Sequence, residues 1–331
     1  LKSAFVCEPA VLSLGAPDAM RNFLHRFHHG GPRATGDSEW PKVAPPVAER
    51  RARDKEILNL AVPVVFSATL DPLLSLVDAY WVSSQLGTLE LAALGPALNV
   101  EDWLFELLKT VQVPVRTLAA RATASGKPQN IAAALSTALC LTWRVGLLVA
   151  IIGSFMVPTL LRLGGVAPDS PLLGPAQDYL RPRLWGTPGL LTLIVLQAVL
   201  SGAYRDTNAV LKLTLLGAVG DAIMTPILMV PFGLGTGGAA LSTTMACFVS
   251  AGAGWYLVGG RARPQIPWLL PPAKELFLRV IGGDRFVKDG NAVDSATWAA
   301  LIKANAAMSV RSFSSLTTWL VAFLIVKPMG G

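Results

Sequence analysis

The sequence predicts an all-α integral membrane protein, on the basis of its composition, its long apolar segments and the placement of its basic residues. Of the 331 residues, 52% are hydrophobic and only 15% are charged, and the mean hydropathy is +0.50. Soluble domains contain about 25% charged residues, so this deficit indicates several membrane spans. The basic residues lie between the apolar segments, so membrane topology explains the net charge of +7 better than nucleic-acid binding does.

Seven apolar segments each come close to the ~20 residues that a helix needs to cross a bilayer. We expect six of them to form a transmembrane bundle over residues 56–260 and the seventh to begin a second bundle within residues 298–331. Charged residues between 101 and 109 interrupt the second segment, so it could instead face a polar cavity or lie at the membrane interface. The predicted helices cover about residues 57–82, 95–118, 131–161, 177–203, 208–232, 236–259 and 298–326.

Two polar segments flank the predicted bundle. Residues 1–55 contain six prolines and all three histidines, and we interpret them as a mobile tail. The histidines (His25, His28 and His29) have no cysteine or acidic partner at ligand spacing, so no metal site is predicted there. Residues 261–297 are rich in proline, glycine and charge, and we expect a linker on the inner side of the membrane.

Acidic residues inside the first predicted span indicate a functional site. A charged side chain in a span costs ~2.5–3.5 kcal/mol on insertion scales, so it normally faces a cavity or a partner. Asp71 and Asp78 lie two turns apart on one helix face, with Ser75 between them. The structural alternative is that Asp71 pairs with Arg144 and that Asp78 lies near the outer interface.

The segment GDAIMTPILM, residues 220–229, places a further acid in an apolar run. Asp221 and Thr225 lie one turn apart on one face, and Pro226 interrupts the helical hydrogen bonds there. An acid at membrane depth is a candidate group for binding and releasing a proton. The alternative is an acid at the inner end of the helix, hydrogen-bonded to neighbouring helix ends.

The sixth predicted helix carries a small residue at every fourth position: Gly238, Ser242, Ala246, Ser250 and Gly254. Such a stripe predicts close packing against another helix. An enzyme is not expected, because the histidines are confined to the tail and no G-x-S-x-G motif occurs.

Several stretches together resemble multidrug and toxic compound extrusion (MATE) transporters, in particular the DinF-like branch of plants, algae and cyanobacteria. The segment at 202–207, GAYRDT, is similar to the family's inner loop G-x-x-R-G-x-x-D-T, with two residues missing after Arg205. The other matching stretches are Pro63, DPLLSLVD at 71–78, LG at 86–87, ELAALG at 90–95, PIL at 226–228, GLG at 233–235, GAALST at 238–243, LIKAN at 301–305 and Arg311.

The resemblance implies the N-terminal bundle and seventh helix of a two-bundle secondary transporter, which exchanges a small organic solute for protons or sodium ions. It assigns Asp78 and Asp221 as the cation-coupling residues. The family's usual pattern on the fifth helix is Asn followed four residues later by Asp, whereas this chain has Asp221 and Thr225. The acid is therefore displaced by one turn on the same face. The residues expected to line the cavity are Asp71, Ser75, Asn99, Gln197 and Thr225.

The resemblance also sets expectations for partners and location. The coupling proton or sodium ion is the only cofactor expected, and the partners are the lipid bilayer, the solute and other membrane subunits, without nucleic acid. The location implied is the plastid envelope or another organelle membrane. A second hypothesis is a non-transporting structural subunit of a larger membrane complex, because the second bundle would be truncated. A third is a lipid flippase of related fold, whose cavity should be cationic.

Overall fold

The computed structural model describes residues 47–124 and 128–262 and, beyond them, residues 303, 305, 306, 308, 310 and 312. The predicted tail up to residue 46, the linker over 263–297 and most of the seventh helix lie outside the described residues. Over 47–124 and 128–262 there are helices and no strands, which confirms the all-α class. The helices are α1 (Val47–Gln85), α2 (Thr88–Lys109), α3 (Gln112–Ala124), α4 (Pro128–Leu163), α5 (Leu173–Trp185), α6 (Thr187–Gly202), α7 (Thr207–Met229) and α8 (Gly235–Ala262).

The chain divides into two units between Asp54 and Lys55, and the helices considered below belong to the second unit apart from the start of α1. Helix α1 begins at Val47, within the segment that the sequence suggests is a tail. Helices α1, α4, α7 and α8 are long and apolar enough to cross a membrane, and α5 with α6 adds a fifth span if that bent pair counts as one.

The prediction of a single helix over 95–118 is wrong, because the chain breaks between α2 and α3. Pro114 has no N–H group, so it cannot bond the carbonyl of Thr110 as a helix interior requires. The N–H of Val113 donates to that carbonyl instead, at 3.3 Å, and this shorter turn separates the two helices. Neither α2 nor α3 is among the membrane-spanning candidates.

The prediction of one helix over 177–203 also needs correction, since α5 and α6 meet at Gly186 with a bend of 48°. Pro188 lacks the N–H that would bond the carbonyl of Leu184. The hydroxyl of Thr187 donates to that carbonyl at 2.7 Å, and the hydroxyl of Thr244 donates to the carbonyl of Pro182 at 2.9 Å. The Thr187 hydroxyl therefore replaces the backbone bond that Pro188 removes, whereas the carbonyl of Pro182 keeps the N–H of Gly186 at 3.1 Å and gains Thr244 as a second donor.

Helix α6 occupies the middle of the bundle. Most of its side chains are buried, and they pack against α3, α4 and α8 in one apolar cluster. A second cluster surrounds α5 and joins it to α2, α4, α8 and the end of α1, where Val82 is fully buried. Much of α1 is exposed, and it is the least buried of the candidate spans.

The small-residue stripe on α8 packs as predicted, because Gly238, Ser242, Ala246, Ser250 and Gly254 are all buried. Helix α8 contacts α5, α6 and α7. At Gly238 the approach is closest, since an added Cβ would lie 2.9 Å from the carbonyl carbon of Leu228 and 3.0 Å from the amide nitrogen of Met229. The stripe lets the backbones of α7 and α8 approach each other where a larger residue would separate them.

We expect Gly238→Ala to destabilise the bundle by about 1–3 kcal/mol, the usual cost of overpacking, because backbone atoms of α7 would have to move. The measurement is the thermal unfolding of the detergent-solubilised protein. Gly252→Ala is the matched control, since Gly252 is an exposed glycine of the same helix with no atom within 4 Å of its added Cβ. Equal unfolding temperatures for the two variants would contradict the close-packing argument.

Candidate functional site

Asp221 lies at the buried interface of α7 and α8. It is only 1% exposed, and α8 supplies two hydroxyl donors to it. Ser242 donates to Oδ1 of Asp221, and Thr243 donates to Oδ2 at 3.1 Å. Both carboxylate oxygens are thus satisfied by the protein, as a polar group at membrane depth requires.

Thr225 links the two predicted coupling acids. Its Oγ1 lies 3.3 Å from Oδ1 of Asp78 and 3.3 Å from Oδ1 of Asp221, and it lies 2.6 Å from Oγ of Ser242. Asp78 is 8% exposed and Thr225 is fully buried. The structure therefore brings Asp78 of α1 and Asp221 of α7 to one hydroxyl group in a cluster shared by α1, α7 and α8.

The hydroxyl groups of the cluster match the carboxylate oxygens that they face. Ser242 and Thr243 also lie 2.8 and 3.1 Å from the carbonyl oxygen of Ala239, which as part of helix α8 accepts a backbone N–H group. The three hydroxyl hydrogens are therefore available to one oxygen of Asp78 and two of Asp221. These hydroxyls carry no charge, so a proton on one carboxyl group, or a cation between the acids, would be needed to offset the negative charge.

The other predicted cavity residues occupy different places. Asn99 is exposed on α2, and Ser75 is exposed on α1. Gln197 of α6 donates to the hydroxyl of Thr214 at 3.2 Å, about three turns before Thr225 on α7. The side chain of Asp71 lies outside what the structure describes. Of the predicted set, Asp78, Asp221 and Thr225 meet directly.

Sequence reasoning missed the polar roles of Ser242 and Thr243. Ser242 was recognised as a small packing residue, and Thr243 only as part of the matching stretch at 238–243. The run Ser-Thr-Thr at 242–244 inside an apolar helix was the available signal, because adjacent hydroxyls at membrane depth need acceptors.

A second missed feature is a buried ion pair between α2 and α5. Arg183 donates from Nε at 2.8 Å and also from Nη2 to the same oxygen, Oε1 of Glu101. The Arg183 guanidinium carbon lies 5.7 Å from the centre of the Phe105 ring. The sequence suggested only that Glu101 is one of the charges interrupting the second segment and indicated no role for Arg183, because their separation along the chain hides the contact.

The acids, rather than a cluster of metal-binding side chains, define the chemistry of the site. Across the described residues, no group of three or more His, Cys, Asp or Glu side chains could hold a metal ion. Two carboxylates with three hydroxyl groups are hard oxygen ligands that suit a proton or a hard cation.

Comparison with known proteins identifies the family. Residues 63–227 match the MatE family. This stretch is a MatE family domain. The chain is 28% identical over 265 residues to Protein DETOXIFICATION 44, chloroplastic, of Arabidopsis thaliana, covering 77% of this chain and 49% of that protein. It is 27% identical over 231 residues to DNA damage-inducible protein F of Escherichia coli K12, covering 70% of this chain and 47% of that one.

The fold agrees with the family assignment. An outward-facing MATE family multidrug resistance transporter of the MOP superfamily superimposes with a TM-score of 0.64 at 21% identity, covering 82% of this chain and 55% of that chain. The MATE resemblance predicted from the sequence is confirmed, as is an integral membrane protein that is not an enzyme. The chain spans about half the length of the curated relatives that it matches.

We expect Thr225→Val to loosen the contact between α1 and α7, because it removes the hydroxyl shared by Asp78, Asp221 and Ser242. Loss of a buried hydrogen-bonding partner costs about 1–3 kcal/mol, so the unfolding temperature should fall. Hydrogen–deuterium exchange should rise in the last turns of α1. Thr225→Ser keeps the hydroxyl and is the control. If hydrogen–deuterium exchange in Thr225→Val equals that of the parent protein, Thr225 does not hold α1.

Proposed function

We propose that this chain forms the cation-binding half of a MatE-type secondary transporter, which exchanges a small organic solute for protons or sodium ions. The observation that supports this proposal best is the meeting of Asp78 and Asp221 at the Thr225 hydroxyl. The acids come from two helices, so a cation bound between them acts on the relative position of α1 and α7.

The electrostatics of the pair favour cation binding. Two carboxylates that contact one hydroxyl repel each other when both are ionised, and the repulsion is strong where water is excluded. A proton or sodium ion at the pair removes it. The Ser242 and Thr243 hydroxyls hold Asp221 in place, so the cation would meet a preformed half-site on α7 and α8.

Helix α1 has the features needed to respond to the cation. It contains Pro63 and Pro72, which interrupt helical hydrogen bonds and allow bending. It is also the least buried candidate span, so few contacts fix its position. A cation that changes the contact between Asp78 and Thr225 would shift α1 between two arrangements, and alternating access requires two such arrangements.

The relatives suggest where the protein works and what it carries. One bears the name DETOXIFICATION with the designation chloroplastic, and the structural neighbour is described as a multidrug resistance transporter. On this basis we place the chain in the plastid envelope or another organelle membrane, with a small organic toxic compound as the solute. The site residues support the coupling cation and do not select among organic solutes.

We expect Asp78→Asn and Asp221→Asn each to abolish solute exchange driven by a cation gradient, since either change removes a charge that binds the cation. The measurement is efflux of the fluorescent cation ethidium from vesicles containing the protein, with a pH gradient in one arm and a sodium gradient in the other. Asp169→Asn is the control, because Asp169 is an exposed loop acid.

The result also separates the alternatives. Gradient-driven efflux that survives in both acid variants would overturn the coupling proposal. Absence of efflux from the parent chain in both arms would favour the non-transporting structural subunit. A parent protein driven by only one gradient identifies the coupling ion.

A further inference from the structure

The buried pair of Glu101 and Arg183 is not explained by the cation site or by packing alone. Glu101 is 3% exposed, and both donors of Arg183 bind its Oε1. The second oxygen, Oε2, is buried and has no hydrogen-bond partner within the described part of the chain. A bidentate pair, in which one N–H group of Arg183 bonds each carboxylate oxygen of Glu101, would satisfy both oxygens. This pair is therefore not arranged for maximal stability. Such an unsatisfied group calls for a specific explanation.

The backbone of α5 beside Arg183 contacts the segment of α8 that holds Asp221. The carbonyl of Pro182, its neighbour in the chain, accepts a hydrogen bond from Thr244 at 2.9 Å. Thr244 directly follows Thr243, whose hydroxyl donates to Asp221. This backbone contact fixes the position of Arg183 on α5 relative to the hydroxyl groups that hold Asp221 on α8.

The charged groups of the ion pair and of the two acids interact with one another. Arg183 acts electrostatically on both Asp78 and Asp221, and Glu101 acts on Asp78. Among the described residues, Asp102 of α2 is an exposed acid that also acts on Arg183 and Glu101. Tyr179 of α5 and Cys247 of α8 act on the same groups and are ordinarily uncharged at neutral pH. Lys109, at the end of α2, interacts electrostatically with Cys247. An uncompensated charge on Arg183 would therefore oppose a cation at the two acids.

We propose that Glu101 is a positioning residue for the cation site, which neutralises Arg183 and thereby sets the affinity of Asp78 and Asp221 for the coupling cation. This inference rests on the proposed function, because it assumes that the two acids bind that cation. Arg183 supplies the positive charge that opposes cation binding. The negative charge of Glu101 determines how strongly Arg183 acts on Asp78 and Asp221. The pair would thus tune the cation affinity to a value that permits both binding and release.

The test uses three variants of the full chain: Glu101→Gln, Arg183→Gln and the double variant. Glu101→Gln removes the ion-pair partner of Arg183, so cation affinity should fall about tenfold, the effect of one unit charge roughly 12 Å away at an effective dielectric constant of about 20. Arg183→Gln leaves Glu101 unopposed and should raise the affinity by a similar factor. The double variant carries neither charge and should bind the cation about as the parent protein does.

Cation affinity is measured directly on the purified, detergent-solubilised protein. Radioactive sodium reports sodium binding, and the infrared band of protonated carboxyl groups, followed against pH, reports proton binding. A purely structural pair would lower the unfolding temperature in the single variants without shifting the cation affinity in opposite directions. Thermal unfolding is therefore recorded alongside binding for every variant.

Opposite shifts in the single variants, cancelled in the double variant, support the proposal. Unchanged affinity in folded Glu101→Gln contradicts it. If Glu101→Gln does not fold, the comparison is between Arg183→Gln and the double variant, and equal affinities in these two overturn the proposal. Asp78→Asn and Asp221→Asn distinguish a failure of the Glu101 proposal from a failure of the proposed function. If neither variant changes cation binding, the proposed coupling site is itself wrong.

Discussion

The hydroxyl of Thr225 lies between two carboxylates, 3.3 Å from Asp78 and 3.3 Å from Asp221, in a buried cluster of the bundle. In the bilayer core every polar group must find its partner within the protein. That constraint explains why the acids do not stand alone. Serine and threonine side chains of α7 and α8 surround them, and the small-residue stripe of α8 brings these hydroxyls close enough to bond Asp221.

The same constraint governs the helix breaks. Prolines at 114 and 188 remove N–H groups, and the freed carbonyls find donors close by. Thr187 donates to a carbonyl of α5, and Thr244 of α8 donates to another at the bend between α5 and α6. The second of these bonds does not replace a lost backbone bond, because the carbonyl of Pro182 also accepts the N–H of Gly186 at 3.1 Å. It joins the backbone beside Arg183 to the α8 segment whose hydroxyl groups contact Asp221. Broken helices therefore contribute to the placement of charge in this bundle.

Sequence patterns predicted the four long spans α1, α4, α7 and α8 and indicated two acids within them, because apolar length and a charge in an apolar run are local signals. The positions of Asp78 and Asp221 followed from the cost of burying a carboxylate together with the family resemblance. The breaks at Thr110 and Gly186 were missed because each proline is compatible with a continuous kinked helix. Ser242 and Thr243 were not recognised as donors, and the pair of Glu101 and Arg183 joins residues far apart in the chain. These contacts depend on how the helices face each other, and a linear pattern does not contain that information.

The two acids are held unequally, and this difference indicates how the site can work. Asp221 receives hydrogen bonds from two hydroxyls of α8, those of Ser242 and Thr243. In the part of the chain that the structure describes, Asp78 has only a share of the single Thr225 hydrogen, at 3.3 Å, beyond the roughly 2.5–3.0 Å typical of hydroxyl donors. A cation can displace such a long bond at small cost, whereas it must leave the α8 bonds intact. In the proposed cycle Asp221 would therefore be the fixed part of the site, and Asp78, on the least buried span, would exchange its partner and move with α1.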